Sequence, residues 1–370
     1  MPPCVLRLVT LNAFTLPVKL IYLTRRVIPL MTYLDWVVEH TATQWWHDSA
    51  DPGELELGLR RGAIGVTTNP VLAATALKSN RERWRTDVDR ALARRLPAEQ
   101  KAEALMEVAV TRAAEQLLPA FRNSGGRSGF VCAQVNPVRA ADRDCMYPMA
   151  KRFHGWAPNI AVKLPATAAG LDILEECVAE GITVTATVSF TVPQVLAVAE
   201  RHRVGSRRAV DRGITPGKCF AVIMIGRLDD YLREVAHDSH PAIPESDIVQ
   251  AGLAVTKRAY SIYKEREYDA VLLVAALRGA HHLTELAGAD LLMSIHPTYQ
   301  EVLVSQDFAH DLRIDRPIPE DVVRRLQQIP DFARAYDPDG MTPAEFLGFG
   351  LSQRTLGQFI ESWKQLESLT

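Results

Sequence analysis

From residue 40 onward, short apolar runs rich in β-branched residues alternate with longer stretches whose apolar positions recur every three or four residues. The short runs predict eight strands, at 44–48, 63–69, 129–135, 160–165, 183–188, 220–225, 270–277 and 291–296. Most are apolar at consecutive positions, as parallel strands buried on both faces should be. The longer stretches predict helices, among them 168–180, 192–201 and 247–264, and an amphipathic helix at 32–41. Eight alternations of β and α predict an α/β fold, a (β/α)8 TIM barrel.

Such a barrel takes ~250 residues, and the chain has 370. The excess falls in residues 1–30, in a helical insertion at 80–121 rich in Arg, Ala and Glu, and in a C-terminal helical extension after His296, whose last helix is expected at 355–368. The longest uncharged run of residues 1–30, Leu8 to Val18, is eleven residues, too short to span a bilayer. A positive residue before a short apolar run resembles a secretory signal, but no small-residue cleavage site follows. We expect a native start at Met31, residues 1–30 being an upstream extension or disordered tail and 31–370 a single barrel domain; a short membrane anchor is the second reading.

Charge and cysteine usage narrow the function. Lys plus Arg is 42 and Asp plus Glu 44, a net charge of −2, which argues against a protein that works by neutralising nucleic-acid phosphates. The five cysteines form no CxxC, so neither a disulfide framework nor a zinc site is expected, and the compartment reads as reducing and cytoplasmic. Gly213-Ile-Thr-Pro-Gly217-Lys218-Cys219 is one residue short of a phosphate loop and has Cys where Ser or Thr should hold magnesium. The stretch 201–218, with five arginines and three glycines, reads as a solvated basic loop; anion binding is its second reading.

In a barrel of this kind the working residues stand at the C-terminal ends of the strands. Those ends carry Asp48; Thr67-Thr68-Asn69-Pro70; Gln134 and Asn136; Lys163; Thr185 and Thr187; Gly226-Arg227; Ala276-Leu277-Arg278; and His296-Pro297. Lys163 is the most informative. Among Ile160, Ala161, Val162, Leu164 and Pro165 it is badly placed for a solvated cation. Burial disfavours the charged form, and a neutral amine attacks carbonyls to form a Schiff base. A strand lysine that snorkels to the rim is the plainer alternative.

Six linked motifs follow in order: Gly65-Val66-Thr67-Thr68-Asn69-Pro70, Val162-Lys163-Leu164-Pro165-Ala166-Thr167, Gly181-Ile182 with Thr187, Gly226-Arg227, the segment 263–277 with Arg278, and Leu286-Ala287-Gly288-Ala289-Asp290. Together they resemble the transaldolase family over roughly residues 40 to 300, and the tail from Phe346 to Leu369 is similar to that of its longer members. The resemblance implies that Lys163 forms an iminium with the ketone of a ketose phosphate, that the C3–C4 bond breaks, and that a dihydroxyacetone unit passes from Lys163 to an acceptor aldehyde. Asp48 matches the carboxylate that moves the C4 hydroxyl proton, Asn69 the asparagine that binds substrate hydroxyls with Thr68 beside it, Thr187 the threonine that holds the catalytic water, and Arg227 and Arg278 the phosphate-binding arginines. Thr185 stands where many members have asparagine and is a candidate substrate contact. Without the resemblance, Asp48 reads as a cap, Asn69 as a turn former, Thr187 as an ordinary strand residue, and Arg227 as an ion-pair partner of Asp229, Asp230 or Glu234.

The pattern is broken in four places. Gln134 stands in Ala133-Gln134-Val135 where the family usually has glutamate; an amide holds a water but cannot exchange a proton as a carboxylate does. This resembles the fructose-6-phosphate aldolase branch, which also has a tyrosine on the sixth strand, where Met224 stands here with Val222 before it. His296 replaces a small residue and is a candidate for proton transfer, since imidazole titrates near neutrality. Ala276 replaces a serine that assists phosphate binding. His47 alternates to the opposite face from Asp48 and reads as structural.

The expected activity is therefore transaldolase-like transfer from sedoheptulose 7-phosphate or fructose 6-phosphate. The alternatives are net aldol cleavage and synthesis or a specialised sugar, and a non-catalytic sugar-phosphate-binding homologue. No cofactor or metal is expected. The expected partners are small-molecule sugar phosphates, without nucleic acid or membrane, and a homodimer is the candidate assembly.

Overall fold

Eight strands form where the apolar runs lie: β1 Gln44–His47, β2 Gly65–Val66, β3 Phe130–Gln134, β4 Ile160–Pro165, β5 Val184–Thr187, β6 Cys219–Met224, β7 Val271–Ala275 and β8 Leu292–Ile295. All are parallel, each pairs with the next, and β8 pairs back on β1, so the sheet is a closed barrel. This computed structural model describes residues 31–239 and 243–369, and the expectations for residues 1–30 lie outside them. No helix among the described residues is long and apolar enough to cross a membrane.

Register decides which side chains enter the barrel. Gln134 pairs with Lys163, Lys163 with Thr185, and Pro165 with Thr187. Val222 pairs with Leu273, Met224 with Ala275, and Trp46 with Ser294. Side chains alternate along a strand, so these positions share the inner face, while His47 and Val66 point outward. At the N-terminal end of the barrel Trp46, Phe130 and Phe220 form an aromatic floor, with ring centroids 4.6 and 5.5 Å apart. A Cβ at Gly65 would lie 2.6 Å from the Trp46 indole, so only glycine lets that ring lie across the barrel. A cavity of about 790 Å³ opens at this end, lined by Gln44, Phe220, Val271 and Leu292 among others. It is at the opposite end from the strand-end chemistry.

Several expected boundaries move for local reasons. β2 stops at Val66 because Thr67 to Asn69 turn into the helix Pro70–Ser79, which Asn69 caps. The helix expected at 192–201 is Val192–Asp211, so much of the arginine-rich stretch is helix and not loop. Gly205 there does not break the helix; it lets it approach Glu175 and Val178 of the neighbouring helix Ala168–Ala179. Arg201 pairs with Asp172 and Glu175, and Arg208 with Glu175 and Glu176. Those arginines meet carboxylates in partly buried pairs at the surface of the two helices. The expected helix 247–264 is broken into Glu245–Ile248 and Ala251–Glu265. The insertion forms two helices, Arg81–Leu92 and Ala98–Asn123. The last helix, Gly350–Glu367, begins earlier than expected and packs on Pro70–Ser79 and Ala98–Asn123 with Phe359, Trp363 and Leu366 buried.

Candidate active site

Lys163 sits in the middle of β4 with 5 % of its surface exposed. Its Nζ donates to the Thr68 carbonyl at 3.1 Å. Burial pushes its ammonium below the ordinary lysine range; Cys132 and Asp48 oppose the shift, and Arg227 adds to it. The amine therefore loses its proton more readily than a solvated one.

Asp48 follows β1 and is half-buried. Its Oδ1 accepts from the Thr67 hydroxyl at 2.7 Å. The same Thr67 oxygen is in hydrogen-bond contact with Ser294 Oγ of β8. A threonine has one proton to give, and here it goes to Asp48, so Ser294 is the donor to Thr67. Two further polar groups end without partners: Gln134 Oε1, on a side chain 2 % exposed, and Thr187 Oγ1, on one 1 % exposed. A buried polar atom is normally satisfied. Two orphans on strands flanking Lys163 mark a place for a water or a substrate hydroxyl.

The remaining residues divide by what their side chains touch. Thr185 is buried, with its Oγ1 3.5 Å from Cys132 Sγ. The Thr68 hydroxyl donates to the Cys132 carbonyl at 2.6 Å, so the group Thr68 turns towards Lys163 is its backbone oxygen. Asn69 Oδ1 accepts from Leu72 N, which leaves its amide nitrogen as a donor. His296 is exposed; its Nδ1 accepts from Thr298 N at 3.3 Å and caps the helix Pro297–Ser305. His47 is buried behind β1 against Gln300, and burial drops it to about 4.

Arg227 and Arg278 stand above β6 and β7. The helix Ile225–Ser239 starts directly from β6, and Gly226 at its start donates to the Ala276 carbonyl. A Cβ there would collide with that oxygen and with the Arg278 side chain. Arg278 Nε donates to Asp230 at 2.8 Å, and its Nη1 donates to the Ala276 and Leu277 carbonyls. Arg227 forms no ion pair among the described residues: Asp229 meets His282, Asp230 meets Arg233 and Arg278, and Glu234 meets Arg354. Instead Arg227 donates to Gln358 of the C-terminal helix and lies 5.5 Å over Phe359. Burial, with Arg278 nearby, drops its guanidinium to about 10.

A profile of the Transaldolase/Fructose-6-phosphate aldolase family matches residues 45–370. The chain belongs to that family. It is 27% identical over 300 residues to a transaldolase of Thiobacillus denitrificans, covering 78% of this chain and 82% of that one. It is 30% identical over 241 residues to a probable transaldolase of Dehalococcoides mccartyi, covering 65% and 80%. For a transaldolase of Neisseria gonorrhoeae the figures are 27% over 237 residues, 62% of this chain and 65% of that one, just under two thirds of the relative's length.

Against this transaldolase/fructose-6-phosphate aldolase background, sequence reasoning missed two side chains of the cluster. Ser294 lies two residues before His296, so its alternation already placed it on the inner face. Gln358 gave no signal, because its contact with Arg227 spans 131 residues of chain.

Proposed function

We propose that this enzyme transfers a dihydroxyacetone unit between a ketose phosphate and an aldehyde through an imine on Lys163. The observation that carries the reading is the buried Lys163 amine with its lowered proton affinity. Nζ adds to the C2 carbonyl, and loss of water gives the iminium. Asp48 takes the C4 hydroxyl proton, the C3–C4 bond breaks, and its electron pair passes to the iminium as an enamine. The aldehyde fragment leaves. An acceptor aldehyde takes the enamine carbon, Asp48 returns the proton, and water hydrolyses the new imine. General-base help of this kind contributes ~10²–10⁴ in rate. Arg227 and Arg278 bind the phosphate through charge-assisted hydrogen bonds. Gln134 and Thr187 hold the water through their free oxygens. Thr185 and Asn69 contact the sugar hydroxyls. His296, exposed and capping a helix, is placed for contact with an acceptor at the rim.

A second reading is net aldol cleavage. It is favoured by Gln134, whose amide cannot relay a proton to and from that water. The four cysteines of the described residues are all free, in keeping with a cytoplasmic compartment. Sodium borohydride with fructose 6-phosphate is expected to fix a reduced three-carbon unit on Lys163, read by peptide mass spectrometry. Failure to label across a panel of ketose phosphates would remove the covalent mechanism.

A further inference from the structure

Beneath the two arginines lies a buried pair that the reaction does not use. His282 is fully buried and Asp229 is 2 % exposed. An imidazole and a carboxylate are costly to bury unless their polar atoms are engaged, and here one bond of the pair reaches the backbone of Arg278. His282 Nδ1 accepts the backbone N–H of Arg278 at 3.2 Å. That nitrogen is therefore unprotonated, and the ring proton sits on Nε2. Nε2 lies 2.9 Å from Asp229 Oδ2, close but off the axis of the ring N–H. Asp229 Oδ1 accepts the Gly252 N–H at 2.8 Å, in the first turn of Ala251–Glu265.

Asp229 belongs to the helix that begins with Gly226 and Arg227. The Arg278 turn is thus tied to this helix three times. Gly226 donates to the Ala276 carbonyl, Arg278 donates to Asp230, and Arg278 N–H reaches Asp229 through His282. The turn needs holding, because Ala276 is left-handed at φ +57°. The first and third ties leave the Arg278 guanidinium unused, so both survive when it swings from Asp230 to a ligand, and of these the third alone holds the backbone N–H of Arg278 itself.

We propose that His282 and Asp229 are a positioning pair that sets the Arg278 turn against the Arg227 helix, fixing the spacing of the two guanidiniums for one phosphate. The proposal rests on the reading of those arginines as phosphate ligands, so its test measures binding and not turnover. The ring nitrogens of His282 give the mutations their direction. In His282→Leu the Arg278 N–H loses its acceptor. In His282→Asn the side-chain oxygen takes the place of Nδ1 and restores it. In Asp229→Asn an amide NH₂ can face the ring, which drives the imidazole proton to Nδ1, against Arg278 N–H.

Titration of the full-length protein with inorganic phosphate, by calorimetry or ³¹P NMR, reads the effect. His282→Leu and Asp229→Asn are each expected to weaken phosphate by about tenfold, as loss of a supporting hydrogen bond does elsewhere, and His282→Asn to recover most of it. If His282→Leu does not fold, Asp229→Asn and His282→Asn carry the comparison. With fructose 6-phosphate the loss should appear in KM far more than in kcat. Equal phosphate affinity in wild type and variants would overturn the positioning role alone. A wild type that binds no phosphate would overturn the anion site, and the proposal with it. A stoichiometric metal in the purified protein would also overturn it, because Asp229, His281 and His282 each place a donor atom within 4.8 Å of the others, and a metal on His282 would replace the hydrogen-bond link.

Discussion

In the proposed mechanism Lys163 must lose a proton before it attacks a carbonyl, and burial loosens its hold on that proton. The same burial works against folding. With the native pKa below the unfolded one, the unfolded chain binds the proton more tightly. The cost is complete below the native pKa and fades as pH rises towards the unfolded value. Lys163→Met is therefore expected to raise Tm, most at low and neutral pH, with the gain shrinking towards the ordinary lysine pKa; a gain independent of pH would contradict the burial argument. Gln134 sets a different property. Gln134→Glu places a carboxylate beside Lys163 and restores a proton-transfer group. Transfer to an acceptor should rise relative to release of free dihydroxyacetone, and an unchanged product ratio would discount Gln134. Lys163 was legible in the sequence because a cation inside an apolar strand is itself an anomaly. The Ser294–Thr67–Asp48 chain was not, because two ordinary hydroxyl residues acquire meaning only when β8 lies beside β1 and β2.

At the scale of elements, strands read more truly than the segments joining them. A buried parallel strand is marked by an apolar run that needs no partner to be recognised. Helix limits depend on what lies across the contact. Gly205 reads as a loop residue and is in fact where two helices touch, while the break near Val249 and Gln250 leaves Gly252 free to abut Ile225 and Asp229. Gly226 is the sharpest case, since the helix after β6 starts against the Arg278 turn. Gly226→Ala is expected to cost about 1–3 kcal/mol of stability, as overpacking does, and to raise KM for phosphorylated substrates more than for their unphosphorylated forms. Equal KM changes would separate the strain from the arginines.

At the scale of the whole molecule, the barrel has two unlike ends. Its N-terminal end is closed by the aromatic layer of Trp46, Phe130 and Phe220, its C-terminal end is polar, and an apolar arc of Val222, Met224, Leu273 and Ala275 lines one wall between them. Trp46→Ala should destabilise the fold by about 3–5 kcal/mol in urea unfolding, and a loss under 1 kcal/mol would mean the floor is not part of the core. The net charge of −2 gives no long-range pull on an anionic sugar, so on the proposed reading attraction comes from Arg227 and Arg278 at short range.

The hydrogen bond between Thr67 and Ser294 crosses 227 residues of chain. During synthesis, Lys163 and Asp48, the proposed nucleophile and acid–base carboxylate, both emerge before the Ser294 hydroxyl that completes the support of Asp48. Gln358, the partner of Arg227, emerges later still. A nascent chain halted after β7 would carry Lys163 and Asp48 without the Ser294–Thr67–Asp48 relay and without ring closure. Onset of activity on the ribosome would thus time the moment the barrel shuts, not the moment Lys163 is made.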